Sequence, residues 1–124
     1  KQLYVDDGTN LLAVGGSWTP YASELISSNG TISLSTTTGL QYRRIEGNAQ
    51  AVSASLTPFG SSAPSDGTVV RLVGQDVDNT VIISNYDAAK GAILNGLAEL
   101  GFGDVLELQY DAVLDRWLET FRNF

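Results

Sequence analysis

The 124-residue chain contains no cysteine, no histidine and no methionine. Without cysteine there are no disulfides and no thiolate ligands, and without histidine there is neither a serine–histidine–aspartate triad nor an imidazole metal ligand. Carboxylate chemistry, a cation site built from oxygen ligands, and binding without chemistry remain. Of these three the sequence favours binding, so we expect no enzyme activity, no metal and no cofactor.

Positive charge is scarce: 7 Lys and Arg stand against 14 Asp and Glu, giving a net charge of −7 and a pI of about 4.2. Nucleic acid is therefore disfavoured as a partner, because its phosphates are bound mainly by Lys and Arg. No run approaches the roughly 20 apolar residues that a membrane helix needs. With 43% hydrophobic and 17% charged residues, the chain can bury the core of one domain. Because it begins at Lys1 and lacks methionine, we expect a processed or excised piece of a longer protein.

Short runs rich in Val, Ile, Leu, Thr and Tyr alternate with turns rich in Gly, Ser and Thr, which indicates an all-β protein. The clearest strand is Val105–Tyr110, in which apolar and acidic or amide residues alternate. A hairpin is predicted from Thr68–Val73 and Thr80–Ser84 around the turn Gly74–Asn79. Further strands are predicted at Gln2–Val5, Leu11–Val14, Thr31–Ser35, Gly39–Ile45, Ala49–Leu56 and Arg116–Phe124.

Three segments are predicted to be turns or loops. Pro58–Gly67 contains two prolines and two glycines, so it is the main exposed loop. Asp76–Asn79 resembles the opening of a calcium loop, but Thr80 and Val81 stand where a further oxygen ligand and a glycine are needed. A plain polar turn is therefore favoured there. Gly101–Asp104 is predicted to be a tight β-turn rather than a phosphate-binding loop.

Arg43 and Arg44 are the one local concentration of positive charge in this acidic chain. Successive side chains on a strand point to opposite faces, so one of these arginines is expected to face inward or into an interface. A guanidinium there needs a carboxylate or a bound anion, because it does not deprotonate. The sequence thus predicts an ion pair between subunits, or alternatively a small anion shared around a symmetry axis.

Aromatic side chains in or beside the predicted loops are the other binding candidates. Aromatics displayed on a rigid β scaffold suit stacking on sugars or contact with a protein partner, although core and interface roles are the alternative for each. Phe59 and Tyr86 are the preferred ligand-binding residues. The full set is Trp18, Tyr21, Tyr42, Phe59, Tyr86 and Phe102.

Four segments of the C-terminal half resemble sequences that recur in trimeric bacteriophage tail fibres, tail needles and tailspikes. They are Arg71–Ile83, Ile93–Gly96, Gly103–Asp111 and Trp117–Asn123. The resemblance implies a homotrimer carried on the virion, outside the cell. It also implies that residues 1–16 are the end of a fibrous shaft or an N-terminal β-hairpin. Residues 17–124 would then be a terminal knob, an antiparallel β-sandwich or jelly roll of TNF-like or adenovirus-knob-like type, intertwined as a trimer.

The function implied by this resemblance is attachment to the host cell surface, or envelope penetration during genome delivery. The partner would be a host receptor or polysaccharide, and threefold display would let weak contacts sum by avidity. One alternative is a structural trimerisation or decoration module of a tailspike or capsid that binds no receptor. The other is a carbohydrate-active fragment of a tailspike. That last alternative is disfavoured because 124 residues cannot hold the long β-helix of enzymatic tailspikes, and no spacing singles out a catalytic pair of acids.

Overall fold

The computed structural model describes residues 17–56, 64–85 and 91–124, and the regular structure in these residues is entirely β-strand. The all-β prediction is confirmed. In the same residues no helix has the length and apolar character that crossing a membrane requires. The described strands are β1 Thr19–Pro20, β2 Glu24–Ile26, β3 Gly30–Thr31, β4 Leu40–Gly47, β5 Val52–Ser55, β6 Val69–Gly74, β7 Val81–Ile83, β8 Gly91–Ile93, β9 Ala98–Leu100, β10 Val105–Asp111 and β11 Arg116–Arg122.

These strands form two sheets that contain both parallel and antiparallel pairs. The large sheet has the order β1-β4-β6-β10-β11-β8, with β2 also pairing with β4, and the small sheet has the order β3-β5-β7-β9. In the large sheet β1 and β2 each pair in parallel with β4, β4 with β6, and β8 with β11. In the small sheet β3 pairs in parallel with β5, and β5 with β7. Pairing is antiparallel at β6/β10, β10/β11 and β7/β9. The antiparallel sandwich expected from the sequence is therefore wrong for half of the molecule.

Three successive coils account for the parallel pairs β2/β4, β4/β6, β3/β5 and β5/β7, whereas the parallel pair β8/β11 lies outside them. In each coil the first strand lies in the large sheet and the second in the small sheet: β2 then β3, β4 then β5, β6 then β7. Glu24 pairs with Ile45, Leu40 with Val69 and Val52 with Val81, so each pair joins equivalent positions of successive coils. This stacking indicates a short β-solenoid rather than a jelly roll.

The hairpin predicted from Thr68–Val73 and Thr80–Ser84 does not form. The first segment becomes β6 of the large sheet and the second becomes β7 of the small sheet, and each pairs with other strands. Between them Asp76 accepts the backbone N–H groups of Asp78 and Asn79 through Oδ1, at 2.8 Å each. The segment is thus a polar corner that carries the chain from one sheet to the other, which local turn signals do not distinguish from a hairpin.

The solenoid core lies between the facing sides of the two sheets. From the large sheet Ile45, Leu72 and Leu106 are fully buried, and from the small sheet Val81 and Leu100 are at most 1% exposed. Predicted strand Thr31–Ser35 pairs only as far as Thr31, but its inward side chains still pack here. The core residues are Ile26, Ile32, Ile45, Val52, Leu56, Val70, Leu72, Val81, Ile83, Ala92, Leu94, Ala98, Leu100, Leu106, Leu108, Tyr110 and Trp117.

After the third coil come β8 and β9, and then an antiparallel hairpin of β10 and β11 that extends the large sheet. As predicted, Leu106, Leu108 and Tyr110 share the buried face of β10. Tyr110 packs edge to face against Trp117 of β11, with ring centroids 5.5 Å apart. The shaft or hairpin predicted for residues 1–16 lies outside the described residues, and so do residues 58–63 of the predicted loop Pro58–Gly67.

Candidate functional sites

The large sheet has a second face that points away from the core, here called the outer face. Residues that are paired on neighbouring strands point to the same side of the sheet, whether the strands are parallel or antiparallel. The strand register therefore arranges the side chains of the outer face in rows. One row runs Leu40, Val69, Gln109, Leu118 and Ile93. The next runs Tyr42, Arg71, Glu107 and Phe121, and a third runs Arg44, Val73 and Val105. Apolar and aromatic side chains therefore dominate both faces of this sheet.

Arg71 is the charged centre of the outer face. Its guanidinium carbon lies 4.2 Å from the centre of the Trp18 ring. Its Nη2 donates to Glu107 Oε1 at 2.9 Å in a partly exposed ion pair. Thr120 Oγ1 also donates to Glu107 Oε2 at 3.3 Å. The cluster fixes the Trp18 ring over the sheet, but an exposed pair of this kind contributes only about 0–1 kcal/mol to stability.

Arg44 lies on the outer face and has neutral partners. Its Nη1 donates to the carbonyl oxygen of Tyr21 at 2.6 Å, and its guanidinium carbon lies 5.0 Å from the centre of the Tyr42 ring. Among the described residues no carboxylate lies within ion-pair distance of Arg44. Glu46, two residues further along the same strand face, is likewise without an ion pair within that part of the chain.

Arg43 lies on the opposite face of β4, on the side of the buried Gln41 and Ile45, so the predicted divergence of the two arginines is confirmed. Its guanidinium carbon is 3.4 Å from the centre of the Tyr21 ring, and its Nε and Nη2 both donate to Gln41 Oε1 at 3.2 Å. Burial lowers the pKa of Arg43, and the nearby Tyr21 and Glu24 oppose that change. Arg43 thus belongs to an inward polar cluster, where no described carboxylate pairs with it.

Gln41 holds that inward cluster together. Its side chain is fully buried, and its Nε2 donates to the carbonyl oxygens of Ser35 and Thr38 at 2.6 and 3.1 Å. Its Oε1 also accepts the backbone N–H of Ser35 at 2.9 Å. The hydroxyl of Tyr21 donates to Thr38 Oγ1 at 2.9 Å. Buried polar groups whose hydrogen bonds are formed within the protein stabilise one local arrangement. The cluster therefore explains the position of Arg43 without a ligand.

A rigid turn displays the one predicted loop aromatic that is strongly exposed in the described residues, Phe102, at 76% of its surface. As predicted, Gly101–Asp104 is a tight turn: Asp104 N donates to Gly101 O at 3.0 Å, and Gly101 N donates to Asp104 Oδ2 at 2.9 Å. Gly74, which ends β6, exchanges two backbone hydrogen bonds with Gly103 and Asp104. The turn is therefore fixed to the solenoid while its aromatic side chain is left to solvent.

The remaining predicted site residues fall in different places. Phe59 and Tyr86 lie outside the described residues. Trp18, Tyr21 and Tyr42 are half-buried against arginines rather than displayed by loops.

The predicted polar turn at Asp76–Asn79 is confirmed by its hydrogen bonds. Backbone N–H groups of Asn79 and Asp78 hold the pKa of the Asp76 carboxyl below its usual value. No group of three or more acidic residues suited to hold a metal ion occurs within residues 17–56, 64–85 and 91–124. The carboxylate of Asp76 is thus committed to its own turn.

The outer face was not identified from the sequence, although a signal for it exists. Val69–Val73 is apolar at four of five positions, and such a run is typical of a strand buried on both faces.

Comparisons of the chain with models of protein families, with curated proteins and with solved structures give no match.

Proposed function

We propose that this chain is the terminal domain of a bacteriophage tail fibre or tail needle, a homotrimer that attaches the virion to a polysaccharide or receptor on the host surface. The resemblance of the C-terminal half to trimeric phage fibres supports it. Those segments cover the end of the solenoid and the final hairpin, because Arg71–Ile83 includes most of β6 and all of β7, and Gly103–Asp111 contains β10. Parallel stacking of coils along one direction also suits a fibre.

The observation that carries the binding role is the display of Phe102. A side chain exposed over 76% of its surface contributes nothing to the core, yet its turn is held by hydrogen bonds from both ends and from Gly74. Val77, 73% exposed, lies on the polar corner that follows the same β6 end. Rigid loops with exposed apolar groups suit stacking on a sugar ring, because little conformational entropy is lost on binding.

The experiment is binding of the purified chain to an immobilised panel of bacterial lipopolysaccharides and capsular polysaccharides. Loss of one aromatic contact costs about 1 kcal/mol per copy. If three copies engage together, Phe102→Ala should weaken binding about 100-fold. Phe59→Ala and Tyr86→Ala test the other two predicted aromatics. Phe124→Ala is the matched control, because Phe124 is an exposed aromatic at the chain end that packs on Arg122.

The outcomes separate the three functions. Polysaccharide binding that falls with Phe102→Ala and not with Phe124→Ala supports attachment. A trimer that binds no member of the panel, and whose removal leaves virion adsorption unchanged, is a structural trimerisation module and contradicts the proposal. Release of reducing ends from a polysaccharide would show the carbohydrate-active alternative.

A further inference from the structure

The two sheets of the solenoid differ sharply in what they present to solvent. The outward positions of the small sheet are mostly polar: Thr31, Ser53, Ser55 and Glu99, with Ile82 among them. The outer face of the large sheet carries exposed apolar side chains instead. Phe121 is 52% exposed, Ile93 40% and Leu25, beside Glu46 in the register, 60%. The outward side of the small sheet is thus mostly polar, whereas the outer face of the large sheet carries exposed apolar side chains beside its charged ones.

A sheet with apolar side chains on both faces is normally covered on both. In this chain the inner face of the large sheet packs on the small sheet, and the outer face keeps its apolar rows partly open in the described residues. Exposed apolar side chains at both edges of this face, Leu25 on β2 and Phe121 and Ile93 on β11 and β8, mark it as an interaction surface. We infer that the outer face of the large sheet is the surface through which copies of this chain associate. This inference rests on the proposed homotrimer and adds which surface forms it.

Charge complementarity is the argument for a second copy as the occupant. The outer face carries Arg44, whose partners in the described part of the chain are neutral, and Glu46, which has no ion pair there. Arg44 and Glu46 lie on the same face of β4 and carry opposite charges. A partner surface whose charges are all of one sign therefore cannot neutralise both. A copy of the same face offers the opposite charge to each, so Arg44 of one copy pairs with Glu46 of the next around a closed ring.

The test is the solution mass measured by light scattering over a range of protein concentrations. The full chain should give three times its own mass of 13.2 kDa. Phe121→Ser should raise the concentration at which the assembly half-dissociates by about tenfold or more, because a buried aromatic is lost from each contact. Ile82→Ser, an equivalent change on the outward side of the small sheet, should leave it unchanged. Circular dichroism and thermal unfolding check that both variants fold.

A charge swap provides the second variant set. Arg44→Glu should weaken association, and Arg44→Glu combined with Glu46→Arg should restore it, because the double variant again presents opposite charges. A full chain that keeps the mass of a single copy at every concentration overturns both this inference and the proposed homotrimer. A trimer that is insensitive to Phe121→Ser and to Arg44→Glu overturns the inference alone and leaves the proposed function standing.

Discussion

Gly47, at the end of β4, lies at a corner where the backbones of three coils meet, so replacing it with alanine should strongly destabilise the fold. Its N–H donates to Asn79 O at 2.8 Å, and the next N–H donates to Ile26 O at 2.9 Å. A Cβ on Gly47 would lie 1.9 Å from Gln50 O and 3.2 Å from Thr80 O. Both contacts are with backbone, so no flexible side chain can move aside. Overpacking typically costs about 1–3 kcal/mol, and we expect the upper end, about 3 kcal/mol, for Gly47→Ala.

Urea unfolding at one fixed protein concentration measures this cost. With a slope of about 1.5–2 kcal/mol per molar urea, a loss of about 3 kcal/mol lowers the midpoint by about 1.5–2 M. Gly39→Ala is the matched control at the other end of β4, because a Cβ there meets no atom within 4 Å. Its free energy of unfolding should stay within about 0.5 kcal/mol of the parent. Equal midpoints for the two variants would refute the corner argument.

Two ionisable groups give further predictions. Hydrogen bonds from Arg122 lower the pKa of Glu119, so its stabilisation is present above the ordinary value of 4.5 and is lost as the pH falls below it. The free energy of unfolding of the parent should therefore approach that of Glu119→Gln as the solution is acidified, and parallel pH curves would contradict this. Burial, with a hydrogen bond to Asp115, raises the pKa of Tyr110 to about 12, so the stability it contributes declines as the pH rises above 10. Spectrophotometric titration should show a late phenol component that vanishes in Tyr110→Phe; a late component that persists unchanged in this variant would contradict the assignment to Tyr110.

The fold was predictable from the sequence as far as local periodicity reaches. Alternation identified β10, because Leu106, Leu108 and Tyr110 repeat with the two-residue period that every half-buried strand has. That period is the same in parallel and antiparallel sheets, so it could not show that β4 pairs in parallel with β6, a strand of the next coil. The turn residues of Asp76–Asn79 suit a hairpin as well as a corner. The solenoid therefore follows from pairings between coils that no local pattern records.

The candidate sites, like the fold, were predictable only where local strand and turn patterns determine them. The opposite directions of Arg43 and Arg44 were predictable, because adjacent residues on any strand diverge. The partners of the two arginines were not predictable. Tyr21 directly follows β1, and only the parallel pairing of β1 with β4 brings it beside these arginines. The exposed position of Phe102 followed from the glycines around it, which mark a turn whatever the sheet topology. Sequence thus located the turns better than the faces.

The two proposals fit one geometry. Association through the outer face of the large sheet would cover Phe121 and Ile93 and leave the polar side of the small sheet in water. The Gly101–Asp104 turn joins β9 of the small sheet to β10 of the large one, so it lies at a corner of the solenoid rather than on the outer face. Three copies arranged around the large sheets would therefore keep three Phe102 side chains accessible. In the proposed attachment role each contact can be weak, because three contacts on a repetitive surface form together and their combined affinity exceeds that of any one.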